Sequence, residues 1–243
     1  MTDDDLQQLR RLFEVMERLR APGGCPWDRA QSHQTLLPFL LEETYETIQA
    51  AEEGSSADLA EELGDLLVEV AMHSAIAAEA GTFDIGKVAR IATEKMISRH
   101  PHVFADLEVD GVSEVMDNWE ELKRREKPDR ESALDGIPTA LPALALASAI
   151  QRRQERGHLQ SAEALLGPAE LARAALTRLA EGGGEDSSER MVGDLLLAVV
   201  ALARQRGVDP EGALRRAAAA HRQALRGAEI ESRAGDSRRS LES

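Results

Sequence analysis

Two short acidic patterns stand out in this 243-residue chain: Glu42-Glu43-Thr44-Tyr45-Glu46 and Glu62-Leu63-Gly64-Asp65. Residues three apart on a helix share a face. Glu43 with Glu46, and Glu62 with Asp65, can therefore converge if two consecutive helices pack antiparallel. Like charges a few ångströms apart repel by about 4 kcal/mol per pair even at an effective dielectric of 20. Four gathered carboxylates therefore call for a cation, and an all-oxygen ligand set suits a hard ion, Mg²⁺ or Mn²⁺.

Most acidic runs are solvated helix faces, and Glu42-Glu43-Glu46 alone would fit that description. The second pattern shifts the balance. On a helical wheel of residues 59–73, Leu63, Leu66, Leu67 and Val70 take one side and Val68, Ala71 and Met72 the other. Glu62, Asp65 and Glu69 form a narrow stripe between them. A helix apolar nearly all round is expected to be buried, and buried carboxylates need partners or a metal.

Apolar periodicity and breakers predict the elements that would carry these groups. A first helix holds Leu6 through Leu19, and Pro22-Gly23-Gly24-Cys25-Pro26 opens a loop that reaches His33. Helices follow over about 35–53, 57–80 with Ser56 as N-cap, 85–99 capped by Asp84, and 113–126. Residues 128–138 read as a linker, separating a unit over 1–127 from a second over 139–230. That second unit contains helices at about 140–156, 168–181, 188–206 and 210–230, with a flexible hinge over 182–188. Residues 231–243 read as a disordered tail. Gly64-Asp65-Leu66-Leu67 recurs as Gly193-Asp194-Leu195-Leu196, but Met191 stands where Glu62 stood and Ala198 where Glu69 stood. The expected architecture is all-α, with a duplicated second helical unit whose copy of the acidic site is degenerate.

Lys95 and Arg99 lie one turn apart and can hold phosphate oxygens. Asn118, Trp119 and Lys123 lie on the next helix. Helix cations usually pair with surface acids to little effect, yet the second unit has Ala220 and Ala224 in place of Lys95 and Arg99. Acids and bases are missing together. Gly81–Val88 imitates a phosphate-binding GxxxxGK loop but lacks the preceding strand and the terminal Ser or Thr. His100 and His102 have no partners at zinc-ligand spacing. Trp27 suits either a core anchor or a platform for a base.

A net charge of −15 disfavours binding to a nucleic-acid polymer. One cysteine, Cys25, fits a reducing compartment, and no run is apolar enough to span a membrane. A cytoplasmic protein is expected.

Gly24-Cys25-Pro26-Trp27-Asp28-Arg29, the paired acidic patterns, Arg99-His100-Pro101-His102-Val103-Phe104 and Asn118-Trp119-Glu120 together resemble the MazG-type nucleoside triphosphate pyrophosphohydrolases. The resemblance is dense to about residue 140 and weak beyond. It implies Mg²⁺-dependent hydrolysis of nucleoside triphosphates to monophosphate and pyrophosphate by an all-α homodimer. Glu43, Glu46, Glu62 and Asp65 would hold metal, with Glu42 or Glu69 in support. Lys95, Arg99 and Lys123 would face the pyrophosphate, and Asn118, Trp119 and Trp27 the nucleoside. A dUTP or phosphoribosyl-ATP pyrophosphohydrolase of the same superfamily, or a nucleotide-binding regulatory module without turnover, are the competing readings.

Overall fold

Ala, Leu, Glu and Arg dominate the chain, and these residues favour helix. The computed structural model describes residues 1–126, 132–157, 167–182 and 185–241, and among them every regular element is an α-helix. The chain divides into two units, Met1–Lys127 and Pro128–Ser243. Residue 127, residues 128–131 of the expected linker, 183–184 of the expected hinge and 242–243 of the expected tail lie outside the described residues.

The first unit contains α1 (Asp3–Arg20), α2 (Pro26–Ala30), α3 (His33–Glu53), α4 (Ser56–Glu79), α5 (Ile85–Arg99), α6 (Pro101–Phe104) and α7 (Val112–Arg125). Local chemistry sets the ends that matter for the site. Ser32 and Thr35 form a reciprocal capping box that starts α3 two residues earlier than the apolar periodicity indicates. Gly54, at φ +76°, ends α3 in the left-handed conformation. Ser55, rather than Ser56, caps α4 through the amide of Asp58. Only two residues separate α3 from α4, so the helices return antiparallel and pack along their length.

α1 lies on α4, and the core forms where it meets the α3–α4 pair. Met16, Leu36, Ala71 and Met72 are buried there, with Phe13, Leu19, Val68 and Ile76 around them. Each such side chain contributes about 1.5–3 kcal/mol on burial. The expected two-sided burial of α4 fails in its first half. Ala71 and Met72 are buried, but Leu63, Leu67 and Val70 are exposed. Only α1, α3 and α5 meet α4 among the described residues, and none covers that flank.

The second unit contains α8 (Ala143–Arg156), α9 (Pro168–Glu181), α10 (Glu185–Gln205) and α11 (Pro210–Leu241). α9 packs along α10, and α8 and α11 each meet α10 and one another. Ala147, Ala175, Ala198 and Val200 are its buried apolar residues. α10 starts inside the expected hinge, and α11 continues past the end expected near residue 230. No proline interrupts either stretch, and Ala, Arg and Glu sustain the helix.

Candidate active site

The antiparallel return of α3 into α4 places Glu43 opposite Glu62 and Asp65. One carboxylate oxygen from each lies within 4.8 Å of the others. Glu43 and Glu62 are half-buried and Asp65 is exposed, so the group opens to solvent on one side. Glu46 falls outside this three-oxygen group, at its edge, and Glu42 is exposed beside it.

The electrostatics match the crowding. Desolvation raises the Glu43 carboxyl above its ordinary value, and Asp65, Glu46, Glu62 and Glu42 push it further. Glu62 is raised by desolvation, then by Glu46, Asp65, Glu61 and Asp58. Every one of these causes disfavours the ionised form, and a cation among the oxygens would reverse them. Three convergent oxygens without nitrogen or sulfur donors fit a hard divalent ion.

Glu69 lies one turn beyond Asp65 on the same stripe of α4. It is only 6 % exposed, its Oε2 has no hydrogen-bond partner, and burial alone raises its carboxyl. One turn further, His73 meets His33 from the start of α3, with Nδ1 to Nδ1 at 2.7 Å and ring planes 5° apart. One ring donates its N–H to the other's lone pair. Burial, then His33, holds His73 below the ordinary imidazole range. This pair, forty residues apart in sequence, leaves no local signature.

The cations gather elsewhere in the first unit. Lys95 and Arg99 lie on α5, and Asn118, Trp119 and Lys123 on α7. α5 packs on α7 and touches α4 and α6, but neither α5 nor α7 meets α3. Arg99 donates from Nε to both oxygens of Glu126, at 3.2 and 3.1 Å, and from Nη2 to Oε2 at 2.5 Å, and its guanidinium stands 5.4 Å from the centre of the Trp119 ring. His100 packs against the same indole at 4.9 Å, and its Nδ1 meets the Met96 carbonyl oxygen at 2.6 Å. Trp119 thus joins α5 to α7. Lys95 is exposed on α5 and helps Arg99 and Ser98 hold Glu126 below the ordinary carboxylate range, the Arg99 hydrogen bond contributing most. The expected site residues therefore form an acidic cluster on α3–α4 and a basic, aromatic cluster on α5–α7.

Trp27 belongs to the acidic side. It lies on α2, inside the expected loop, is 53 % exposed, and sets its ring edge-on against Phe39 of α3 at 5.7 Å. Phe39 is one turn before Glu43. Neither Phe39 nor Arg20 carries a local signature in the sequence; an arginine at a helix end beside a Pro-Gly loop looks like an ordinary surface residue. The GxxxxGK imitation has α4 before it and Asp84 capping α5 through the Lys87 amide at 2.7 Å, a context no phosphate loop shares. No helix among the described residues is long and apolar enough to cross a membrane.

The sequence is similar to those of known proteins. The chain is 44% identical over 151 residues to a nucleoside triphosphate pyrophosphohydrolase of Escherichia coli K12, covering 61% of this chain and 57% of the relative. A nucleoside triphosphate pyrophosphohydrolase/pyrophosphatase MazG of Thermotoga maritima is 46% identical over 141 residues, 58% of this chain and 54% of the relative. The chain thus spans a little over half the length of these two proteins. An uncharacterised 26.1 kDa protein from the blaB 3' region of Streptomyces cacaoi is 37% identical over 224 residues, covering 91% of this chain and 83% of the relative. Residues 31–104, which run from the start of α3 through α6 and include Glu43, Glu62 and Asp65, match the MazG nucleotide pyrophosphohydrolase domain, and the chain belongs to that family.

Proposed function

We propose that the first unit hydrolyses nucleoside triphosphates to nucleoside monophosphate and pyrophosphate, with Mg²⁺ held by Glu43, Glu62 and Asp65 and with Glu46 at the edge of the site. The observation that carries this reading is the convergence of three carboxylate oxygens from two helices within 4.8 Å. A bound divalent ion would neutralise triphosphate charge and lower the pKa of water. The residues themselves supply the rest. The ionised carboxylates fix where the triphosphate docks, because an anion reaches them only together with a cation. Glu46, exposed and outside the three-oxygen group, would accept a proton from water attacking the α-phosphorus. The bond from that phosphorus to the bridging oxygen breaks, and pyrophosphate leaves with the bonding electrons.

Lys95, Arg99 and Lys123 are the groups that would offset charge on the departing pyrophosphate. Since α5 and α7 do not meet α3 within one chain, we read the complete site as shared between two copies. The uncovered Leu37, Leu41, Leu63, Leu67 and Val70 beside the acids support a homodimer built across this face. The free Cys25 supports a cytoplasmic location.

The decisive measurement is pyrophosphate release across common and modified nucleoside triphosphates, with and without Mg²⁺ or Mn²⁺. Turnover of several substrates that disappears without metal is expected. Strict use of dUTP would favour the narrower relative, and tight binding without product would favour a regulatory module. Mixing a Glu62→Gln protein with an Arg99→Ala protein tests the shared site, since hybrid dimers regain activity that neither parent has.

A further inference from the structure

Four side-chain hydrogen bonds converge on Arg20, the last residue of α1. Its side chain is 5 % exposed. Nε and Nη2 donate to the two oxygens of Glu79 at the end of α4, both at 2.8 Å. Nη1 donates to the carbonyl of Asp28 at 2.5 Å and, at 3.4 Å, to that of Gln31. Both carbonyls lie at the end of α2, where that of Asp28 also accepts from the amide of the C-cap residue Gln31 at 3.2 Å. A guanidinium suits this task because its planar fork can serve four acceptors on separate segments, which an ammonium cannot.

The network continues from Gln31 in two directions. Its side-chain amide donates to the Trp27 carbonyl at 3.0 Å, and its side-chain oxygen accepts from Thr35, a member of the box that starts α3, at 2.7 Å. The loop entering α2 is equally constrained. Cys25 donates its amide to the Leu19 carbonyl at 2.7 Å, and a Cβ on Gly24 would overlap the Arg18 and Leu19 carbonyl oxygens. Arg20 thus ties the ends of α1 and α4 to the five-residue helix that carries Trp27. That indole has little else to hold it: it is half-exposed and leans edge-on against Phe39, one turn from the metal-binding carboxylate of Glu43.

We propose that Arg20 is a positioning residue: through α2 it sets the Trp27 ring beside the carboxylate site, where the ring receives the nucleoside of the substrate. This rests on the reading of the site as a nucleoside triphosphate pyrophosphohydrolase and adds to it the element that places the base. A base stacked on a held indole loses less freedom on binding than one that must first order a mobile ring. Loosening Arg20 therefore weakens binding of the nucleoside, while the carboxylates that act on the phosphate stay in place.

Arg20→Lys, Trp27→Ala and the double variant, assayed for pyrophosphate release, test this. KM is expected to rise about five- to tenfold in each single variant with kcat within about twofold of wild type. The double variant is expected to be no worse than Trp27→Ala, because both changes remove one interaction. Glu79→Gln is the stability control: it removes the ion pair but leaves the carbonyl contacts, so it lowers the melting temperature without moving KM. A readout independent of turnover is the fluorescence of Trp27 in a Trp119→Phe background, where Arg20→Lys increases quenching by acrylamide. Multiplicative effects in the double variant, an unchanged KM in Arg20→Lys, or unaltered quenching would each overturn the assignment. Absence of turnover in the wild type would instead remove the functional reading beneath it, and the quenching result would then report on the anchoring alone.

Discussion

The two units pack helices in similar ways and differ in what they bury. In the first, α3 packs along α4, α1 lies on α4, and α5 meets it; in the second, α9 packs along α10, α8 lies on it, and α11 meets it. Gly64-Asp65-Leu66-Leu67 on α4 has its counterpart in Gly193-Asp194-Leu195-Leu196 on α10. In that register buried Glu69 aligns with buried Ala198, and Glu62 with Met191. We read the second unit as a copy of the first that keeps Asp194 in place of Asp65 but has lost the counterparts of Glu62 and Glu69 and those of Lys95 and Arg99. A helix pair of this kind therefore packs without carboxylates. Where it keeps them, at the cost of mutual repulsion and a buried oxygen without a partner, the reason is chemistry rather than folding.

Paired substitutions can break that comparison. Asp65→Asn should lower pyrophosphate release roughly a hundred- to a thousandfold, whereas Asp194→Asn should leave the rate unchanged. Asp65→Asn should also leave the metal-free protein no less stable, because it relieves repulsion on Glu43 and Glu62. Loss of activity in both variants would dissolve the division of labour. Core truncation gives the next largest effect. Leu36→Ala opens a cavity beneath α3 at a site 1 % exposed and should cost about 2–5 kcal/mol by denaturant titration. Val200→Ala, in the smaller core of the second unit, should cost about 1–2 kcal/mol. An equal cost at Val200, where fewer carbons are removed, would mean the second core is packed at least as tightly as the first.

The sequence makes the acids legible because helical spacing is local: three-residue steps specify which side chains share a face. It also makes α3 and α4 legible as partners, since only two residues between long helices force them to lie side by side. Longer-range relations escape it. The wheel of α4 reports two apolar flanks but cannot say that α1 and α3 cover Ala71 and Met72 and leave Leu63 and Leu67 open. Lys95 and Arg99 are at phosphate-binding spacing, yet only the packing of α5 on α7 reveals that Arg99 already holds Glu126 and the face of Trp119. Arg20 and the His33–His73 pair depend on contacts across 59 and 40 residues, for which no motif exists. Cap positions shift by a residue where two serines adjoin, as Ser55 and Ser56 do, because either could supply the hydroxyl.

Glu69 sharpens the comparison at its most delicate point. Its carboxyl is raised by burial, so the folded state binds its proton more tightly than the unfolded chain does. The stability that this proton contributes is full below the unfolded carboxyl's pKa and is lost as pH rises through the higher, folded value. Above that folded value wild type carries a desolvated charge that Glu69→Gln removes. There the variant should be more stable than wild type by about 1–2 kcal/mol. That advantage should vanish on acidification below the ordinary carboxylate range. Thermal melts of both proteins across pH, without metal, would measure it. A constant difference at all pH values would mean that the amide only repacks the site. A difference that grows with pH would mean that the first unit keeps a carboxylate where its counterpart, with Ala198, has discarded one, and that the fold alone gives no reason to retain it.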